Sequence, residues 1–279
     1  MDGTQKYSYS SAEAAFHHSI TEHPDPEDFD YRLHSHHMHE IYYFVGGCAD
    51  FTVEGRRYEM KKGTLIFSAG GQVHHVSVKD RGVPYERLVL MFAIDRFPSL
   101  ISDIVSAAER GSHKFVLNER EQIWFEESCE AIKNEKMSED VKRETVSALI
   151  GMTVSKLSAM TAAKMPMDQS ENDTVRDIVR YINHNLDGDL SLELLEKEFF
   201  RDKAYLNRCF KSSVGCSIWE YVIRKRIAAA RARLILTGQV SEAFASSGFR
   251  DYSVFYRNYV KCTGVSPAAD LRAIRGKQK

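Results

Sequence analysis

A short helix, a tight turn and a second helix are written into this chain twice, at residues 191–214 and again at 241–263. The second helices, KAYLNRCFKSS and YSVFYRNYVKC, follow one pattern. Each carries an aromatic core position, Phe210 or Tyr259, and an apolar residue four places earlier on the same face, Leu206 or Phe255. Each runs into glycine, in SSVG and KCTG. An internally duplicated helix-turn-helix restricts the last third of the chain to an all-α domain with two such units.

The local punctuation agrees. Residues 173–273 carry signals for about seven short helices, opened by Asp173, Ser191, Asp202, Ser217, Asp251 and Ser266 and closed in several cases by glycine. The longest, IWEYVIRKRIAAARARLILTG, joins the two units and sets their separation. Two recognition helices that enter successive turns of DNA need roughly 34 Å between them.

Helix geometry then assigns faces. With Leu206 and Phe210 turned inward, Ala204, Asn207, Arg208 and Lys211 lie toward the opposite side. With Phe255 and Tyr259 inward, Tyr252, Ser253, Tyr256 and Arg257 are exposed. Asn pairs with adenine and Arg with guanine in the major groove, whereas Lys211 and Lys261 suit phosphates. A plain helical domain with solvated basic surfaces is the alternative. Charge distribution favours a polyanionic partner: residues 171–279 hold 19 Lys or Arg against 13 Asp or Glu, while the first 170 residues hold 19 against 26.

Residues 173–272 resemble the DNA-binding domain of the AraC/XylS family of bacterial transcription regulators. The resemblance rests on DLSLELL, YLNRCFKSSVGCSIWEYVIRKRIAAARARL, SSGFRDYSVFYRNYVKCTGVSP and Arg272, most specifically on Gly248-Phe249 and on TGVSP at 263–267. It implies that Ala204, Asn207, Arg208, Tyr252, Ser253, Tyr256 and Arg257 are groove-facing, that the partner is promoter DNA, and that the protein is a regulator, with RNA polymerase as a possible further contact. Two positions depart from the pattern. Glu196 stands where a small apolar residue is usual, and Ala243-Phe244 where Ile-Ala is usual.

The front of the chain has another character. Residues 1–30 are polar and turn-rich and read as an irregular arm; residues 31–99 read as short strands of an antiparallel barrel. Hairpin turns are expected at Glu54-Gly55 and Lys62-Gly63. Residues 100–165 show helical spacing, with Val146, Leu149, Ile150 and Leu157 on an apolar side that suits core packing or a homodimer interface. A linker is expected at 166–172 and a basic tail at 274–279. The fold class is thus α+β in two domains: a barrel followed by helices, then the all-α domain.

Ten of the eleven histidines precede residue 114. On a strand His34, His36 and Glu40 would share one face, with Tyr42 and Phe44, while Tyr31, His37 and His39 would take the other. His74 follows Glu40 by 34 residues. Three imidazoles and a carboxylate suit Fe, Mn, Ni, Zn or Cu. This region resembles the cupin fold at His34, His36, Glu40 and Gly47 and again at Gly63, Gly71 and His74, with Ala69 where Pro is common. In regulators of the family the resemblance implies an effector-sensing barrel, often for sugars or other small molecules and often without metal. Three readings stay open for His34, His36, Glu40, Tyr42 and His74: a divalent transition metal site, an organic effector pocket, or packing and hydrogen bonding. A cupin enzyme fused to a DNA-binding module is a further alternative, but no GxGxxG or GK[ST] motif accompanies it.

Five cysteines without a CxxC pair suggest neither a disulfide scaffold nor structural zinc. With no leader-like start and no run of 18 apolar residues, a cytoplasmic protein is expected.

Overall fold

The computed structural model describes residues 4–25, 31, 33–163 and 173–277; the expected linker at 166–172 and the last two residues of the tail fall outside them. Among the described residues, nine strands and three helices form the first domain. The strands are β1 (Gln5–Ser10), β2 (Ala14–Thr21), β3 (His39–Gly46), β4 (Ala49–Val53), β5 (Arg56–Glu59), β6 (Thr64–Ser68), β7 (His74–Val78), β8 (Tyr85–Phe92) and β9 (Lys114–Val116). The helices are α1 (Pro98–Glu109), α2 (Glu119–Ile132) and α3 (Glu139–Ala163). An antiparallel sheet of order β1-β2-β8-β3-β6-β9 lies against a second of order β5-β4-β7. An isolated bridge between His34 and His74 ties the approach to β3 onto β7.

Strand alternation explains the layering. In β3 the residues Tyr42 and Phe44 point between the sheets, where they join Phe51, Ile66 and Tyr85. Ile41 and Tyr43 point the other way and meet Phe125, Val146, Leu149 and Ile150 of the helices. With both faces covered, β3 reads as a nearly continuous apolar run.

Three boundaries differ from the sequence reading. Residues 5–21 are a hairpin rather than an irregular arm: β2 pairs along its whole length with β8 and buries Ala14 and Phe16. Only Tyr9 of the edge strand β1 is buried, so its alternation is too weak to register. Second, β9 lies beyond α1 yet pairs with β6, and α1–α3 share one core with the sheet, so 31–99 and 100–165 are one unit. Third, Glu54-Gly55 is a two-residue hairpin between β4 and β5, but Lys62-Gly63 carries the chain from one sheet to the other.

Helix α3 is long and apolar enough to cross a membrane by length and composition. Its Val146, Leu149, Ile150, Val154 and Leu157 are buried against the sheet and α1, as in the core helix of a globular domain. Those residues are therefore closed to a dimer partner, and the interface reading of that side is corrected to core packing.

The second domain holds α4 (Asp173–His184), α5 (Leu192–Phe199), α6 (Lys203–Val214), α7 (Ile218–Thr237), α8 (Val240–Ala245), α9 (Tyr252–Thr263) and α10 (Pro267–Lys277). The start of α7 packs Ile218, Tyr221 and Val222 into the core of the first unit, and its end packs Ile227, Ala230 and Leu234 into the second. Ser191, Asp202, Ser217 and Asp251 each accept backbone N–H groups at the helix starts they precede. Gly248 has φ of 73°, and a Cβ there would stand 2.7 Å from the Leu186 carbonyl oxygen, so both conformation and space demand glycine.

Candidate nucleic-acid interface and ligand cluster

α5–α6 and α8–α9 are the two helix-turn-helix units. Leu206, Phe210, Phe255 and Tyr259 are fully buried, which fixes how α6 and α9 are rotated. Ala204, Arg208 and Lys211 are exposed on α6, and Tyr252, Ser253, Tyr256, Arg257 and Lys261 are exposed on α9. Arg208 lies over the Tyr205 ring, and Tyr252 packs edge-on against Phe244. The larger residue at 244 is accommodated because its half-buried ring covers the start of α9.

Asn207 departs from expectation. It is half-buried, and its Oδ1 accepts the Ile218 backbone N–H at 2.9 Å. Bidentate adenine recognition needs that same oxygen together with Nδ2. The proposed base contact is corrected to a structural one: Asn207 satisfies an orphan donor at the start of α7. Glu196 has a comparable part, since its carboxylate accepts the Lys203 backbone N–H.

A second arrangement lies in the first domain. His34, His36, Glu40 and His74 each place one ligand atom within 4.8 Å of the others. His36 Nε2 is 2.9 Å and His74 Nε2 3.7 Å from the same Glu40 oxygen. His36 Nδ1 meets the Met38 carbonyl and His74 Nδ1 the Gln72 carbonyl, at 2.9 and 3.0 Å. Backbone acceptors at Nδ1 orient each ring with Nε2 toward the centre, as in metal-binding histidines. Burial would raise the Glu40 carboxyl, but the adjacent His74 and His36 hold it well below the usual carboxylate range. Burial likewise opposes charge on His74, and Glu40 reverses the sign and raises it.

Strand parity identified this group although its premise fails, because β3 begins only at His39 and residues 34–38 are irregular. His39 packs on Phe67 and Phe92, on the side away from the cluster. Tyr42 stands one ring away, packed on Phe51, which stacks on His74. Tyr31 is corrected: it joins Tyr42 between the sheets and meets Tyr85 edge-on.

Residues 195–273 match the family of helix-turn-helix domains, and residues 16–148 match the AraC-like ligand binding domain. The chain belongs to the AraC family of transcription regulators. Over 112 residues, 38% of this chain and 83% of the relative, it is 29% identical to the HTH-type transcriptional activator AarP of Providencia stuartii. ToxT from Vibrio cholerae O395 aligns over 98% of both chains at 13% identity and a TM-score of 0.42. The C-terminal domain of AraT, a response regulator from Geobacillus stearothermophilus, aligns with 38% of this chain and 88% of its own at 25% identity and a TM-score of 0.36.

In this AraC-family regulator the two domains are joined by contacts that sequence reasoning missed. Glu54 is buried at the tip of the β4–β5 turn. Its carboxylate accepts from the Tyr221 hydroxyl at 2.5 Å, Asn183 Nδ2 at 3.1 Å and Lys225 Nζ at 3.4 Å, all in the second domain, and from the Val73 N–H at 2.7 Å. Burial would raise its pKa; Lys225 first, then these hydrogen bonds, bring it below the ordinary value. Glu54 has φ of 49°, so a non-glycine residue is held in a left-handed conformation costing about 1–2 kcal/mol. Beside it Leu33 and Val73 pack into the core of the first helix-turn-helix unit. Their chain neighbours are His34 and His74, so the cluster and the domain contact share two short backbone segments. A further tie runs from Arg231 on α7, which grips Asp270 through two nitrogens, to His37 Nδ1 at 3.2 Å. The one sequence signal at Glu54 was its turn position, where Asn or Gly is the usual choice.

Proposed function

We infer that this AraC-family regulator reads double-stranded DNA with Arg208 of α6 and Arg257 of α9, flanked by Ala204, Tyr252, Ser253 and Tyr256, and grips phosphates with Lys211 and Lys261. One observation carries the reading: these residues are exposed on two helices whose opposite faces are fixed by fully buried aromatics at matching positions. A small molecule bound in the first domain sets how the second is presented to DNA. The chain works as a cytoplasmic homodimer, paired through the solvent side of α3, where Val141 and Met152 are exposed. The test is quantitative DNA binding, on sites selected from random sequence and on unselected DNA. Arg208→Ala and Arg257→Ala should weaken selected-site binding by about 1–3 kcal/mol more than unselected binding. Equal losses on both would reassign the two arginines to phosphate contact.

A metal-dependent sensor is a second reading, favoured by the His74 Nε2 atom. It is buried without a hydrogen-bond partner, among three other converging ligand atoms. His34, His36, Glu40 and His74 would hold a divalent transition ion by three nitrogens and one oxygen, a set that suits Zn, Fe, Mn, Ni or Cu. When bound, the ion would supply an open coordination position for an effector. Elemental analysis of the purified protein decides between them: one equivalent of metal that disappears in Glu40→Gln supports it, and none after incubation with each ion removes it.

A further inference from the structure

Among the described residues, three other than glycine have left-handed backbone: Glu54 at φ 49°, Phe97 at φ 55° and Phe200 at φ 51°. That conformation crowds Cβ against the following carbonyl oxygen and is an outlier for a bulky side chain. Two of the three are held by what they touch. Glu54 carries the hydrogen bonds between the domains. Phe97 packs edge-on against Phe92 and lies under the Arg96 guanidinium. Phe200 has no such anchor: it is 89% exposed, the most of any large apolar residue described.

Backbone and solvent therefore both disfavour this residue in the free protein. Its place in the fold says what would reverse that. Phe200 closes α5 and stands in the turn of the first helix-turn-helix unit, two residues before the Asp202 cap of α6 and four before Ala204. The N-terminal end of a recognition helix is the part that meets base edges. Four residues span at most about 14 Å, so the ring is within reach of the base pairs that Ala204 and Arg208 face. Arg201, the next residue, is exposed as well and brings positive charge to the same edge. Three nearby carboxylates are occupied: Glu193 pairs with Lys203, and Glu196 and Asp202 accept backbone N–H groups at the start of α6.

The major groove offers an aromatic ring one apolar target, the C5-methyl group of thymine. We propose that Phe200 is a specificity-determining residue of the first unit, its ring packing on a thymine methyl at the margin of the bases read from α6. The inference rests on α6 as a major-groove reader. It adds a contact of a different kind from those of Arg208 and Lys211, in which apolar burial rather than hydrogen bonding or charge selects the base.

The test uses the full chain and the duplex that it selects from random sequence, with each thymine replaced in turn by deoxyuridine, which lacks only the methyl group. Wild-type affinity should fall about three- to tenfold at one thymine, close to the base whose selection Arg208→Ala relaxes. Phe200→Gly should lose a similar factor on the unmodified duplex and be indifferent to that one replacement. Phe200→Tyr, which keeps the ring, should restore both the affinity and the dependence on the methyl group. Thermal unfolding separates this from a structural part: Phe200→Gly relieves the backbone and should unfold at the wild-type temperature or above it.

Unchanged affinity of Phe200→Gly, equal sensitivity of wild type and variant at every thymine, or a lowered unfolding temperature would each overturn the proposal. Unchanged DNA affinity with altered transcription in a purified system would put a protein rather than DNA against the ring, and would overturn it too. Arg208→Ala keeps the two readings apart. If it leaves base selection unchanged, α6 is not the reader and both fall. If it relaxes selection while Phe200→Gly behaves as the wild type, only the thymine contact falls.

Discussion

Glu54 and Tyr221 are 167 residues apart in sequence and 2.5 Å apart in the structure, joined by a hydrogen bond from a tyrosine hydroxyl to a buried carboxylate. A bond of this kind, made to a charged group, contributes about 1.5–3 kcal/mol. Tyr221→Phe should therefore loosen the docking of the two domains by that order. Glu54→Ala should cost more, about 3–5 kcal/mol, because it leaves Lys225 buried without its counter-charge. Differential scanning calorimetry reads the result: one cooperative transition in the wild type, and two separable ones in Glu54→Ala. A single unshifted transition in both variants would show that the contact contributes nothing to docking.

Acid should weaken the fold through His113. Its folded pKa, near 4 because of burial, lies below the unfolded value near 6.5. Between these values the unfolded chain takes up a proton that the folded chain refuses. The contribution is complete above about pH 6.5 and is lost as pH falls toward 4, with a slope of at most about 1.4 kcal/mol per pH unit. His39, also buried and lowered to about 4, acts in the same direction. Chemical denaturation between about pH 7 and pH 5 should show stability falling in the wild type and a shallower fall in His113→Gln. Parallel slopes would mean that His113 is not neutral when folded.

Asn207 and Arg208 are neighbours with opposite roles, and substitution should separate them. Asn207→Ala removes the acceptor for the Ile218 N–H and should destabilise the second domain by about 0.5–2 kcal/mol, the range for a lost helix cap, with unchanged base preference in site selection. Arg208→Ala should leave thermal stability unchanged and relax selection at one base position. If Asn207→Ala instead changes the selected base, the assignment of its oxygen to α7 is wrong.

The double helix-turn-helix was legible because its signals are local. Caps, glycines and four-residue apolar spacing depend only on residues within a turn or two of each other, and Ser191, Asp202, Ser217 and Asp251 cap where expected. Rotation of α6 could also be read, since Leu206 and Phe210 define it. What Asn207 bonds to could not, because its partner belongs to the next helix and lies eleven residues away. The His34, His36, Glu40 and His74 group was found by parity, which gave the right members although no strand spans 34–38. The edge hairpin β1–β2 was invisible for the opposite reason: its register is set by β8, some seventy residues on, with little alternation of its own. Contacts such as Glu54 with Tyr221 have no periodic signature at all, since they depend on how two finished domains meet.

Gly55 and Gly264 allow the domain contact to be weighed against backbone strain. Both have left-handed φ, 78° and 76°, so an alanine at either suffers a similar conformational cost of about 1–2 kcal/mol. Around Gly264 nothing lies within 4 Å of an added Cβ. At Gly55 the added atom would stand 2.9 Å from Val214 Cγ2 and 3.3 Å from Val175 Cγ1, both in the second domain. Gly264→Ala should thus lower stability by the strain alone and leave the domains docked. Gly55→Ala should add a steric cost that falls on docking, because α6 ends at Val214 against this turn. Calorimetry on the two variants, with protease sensitivity as a second readout, compares them directly. A larger loss for Gly55→Ala, with the two transitions drawing apart, is the expected result. Equal losses would mean that Val214 and Val175 move aside freely and that the turn does not set the position of the first helix-turn-helix unit.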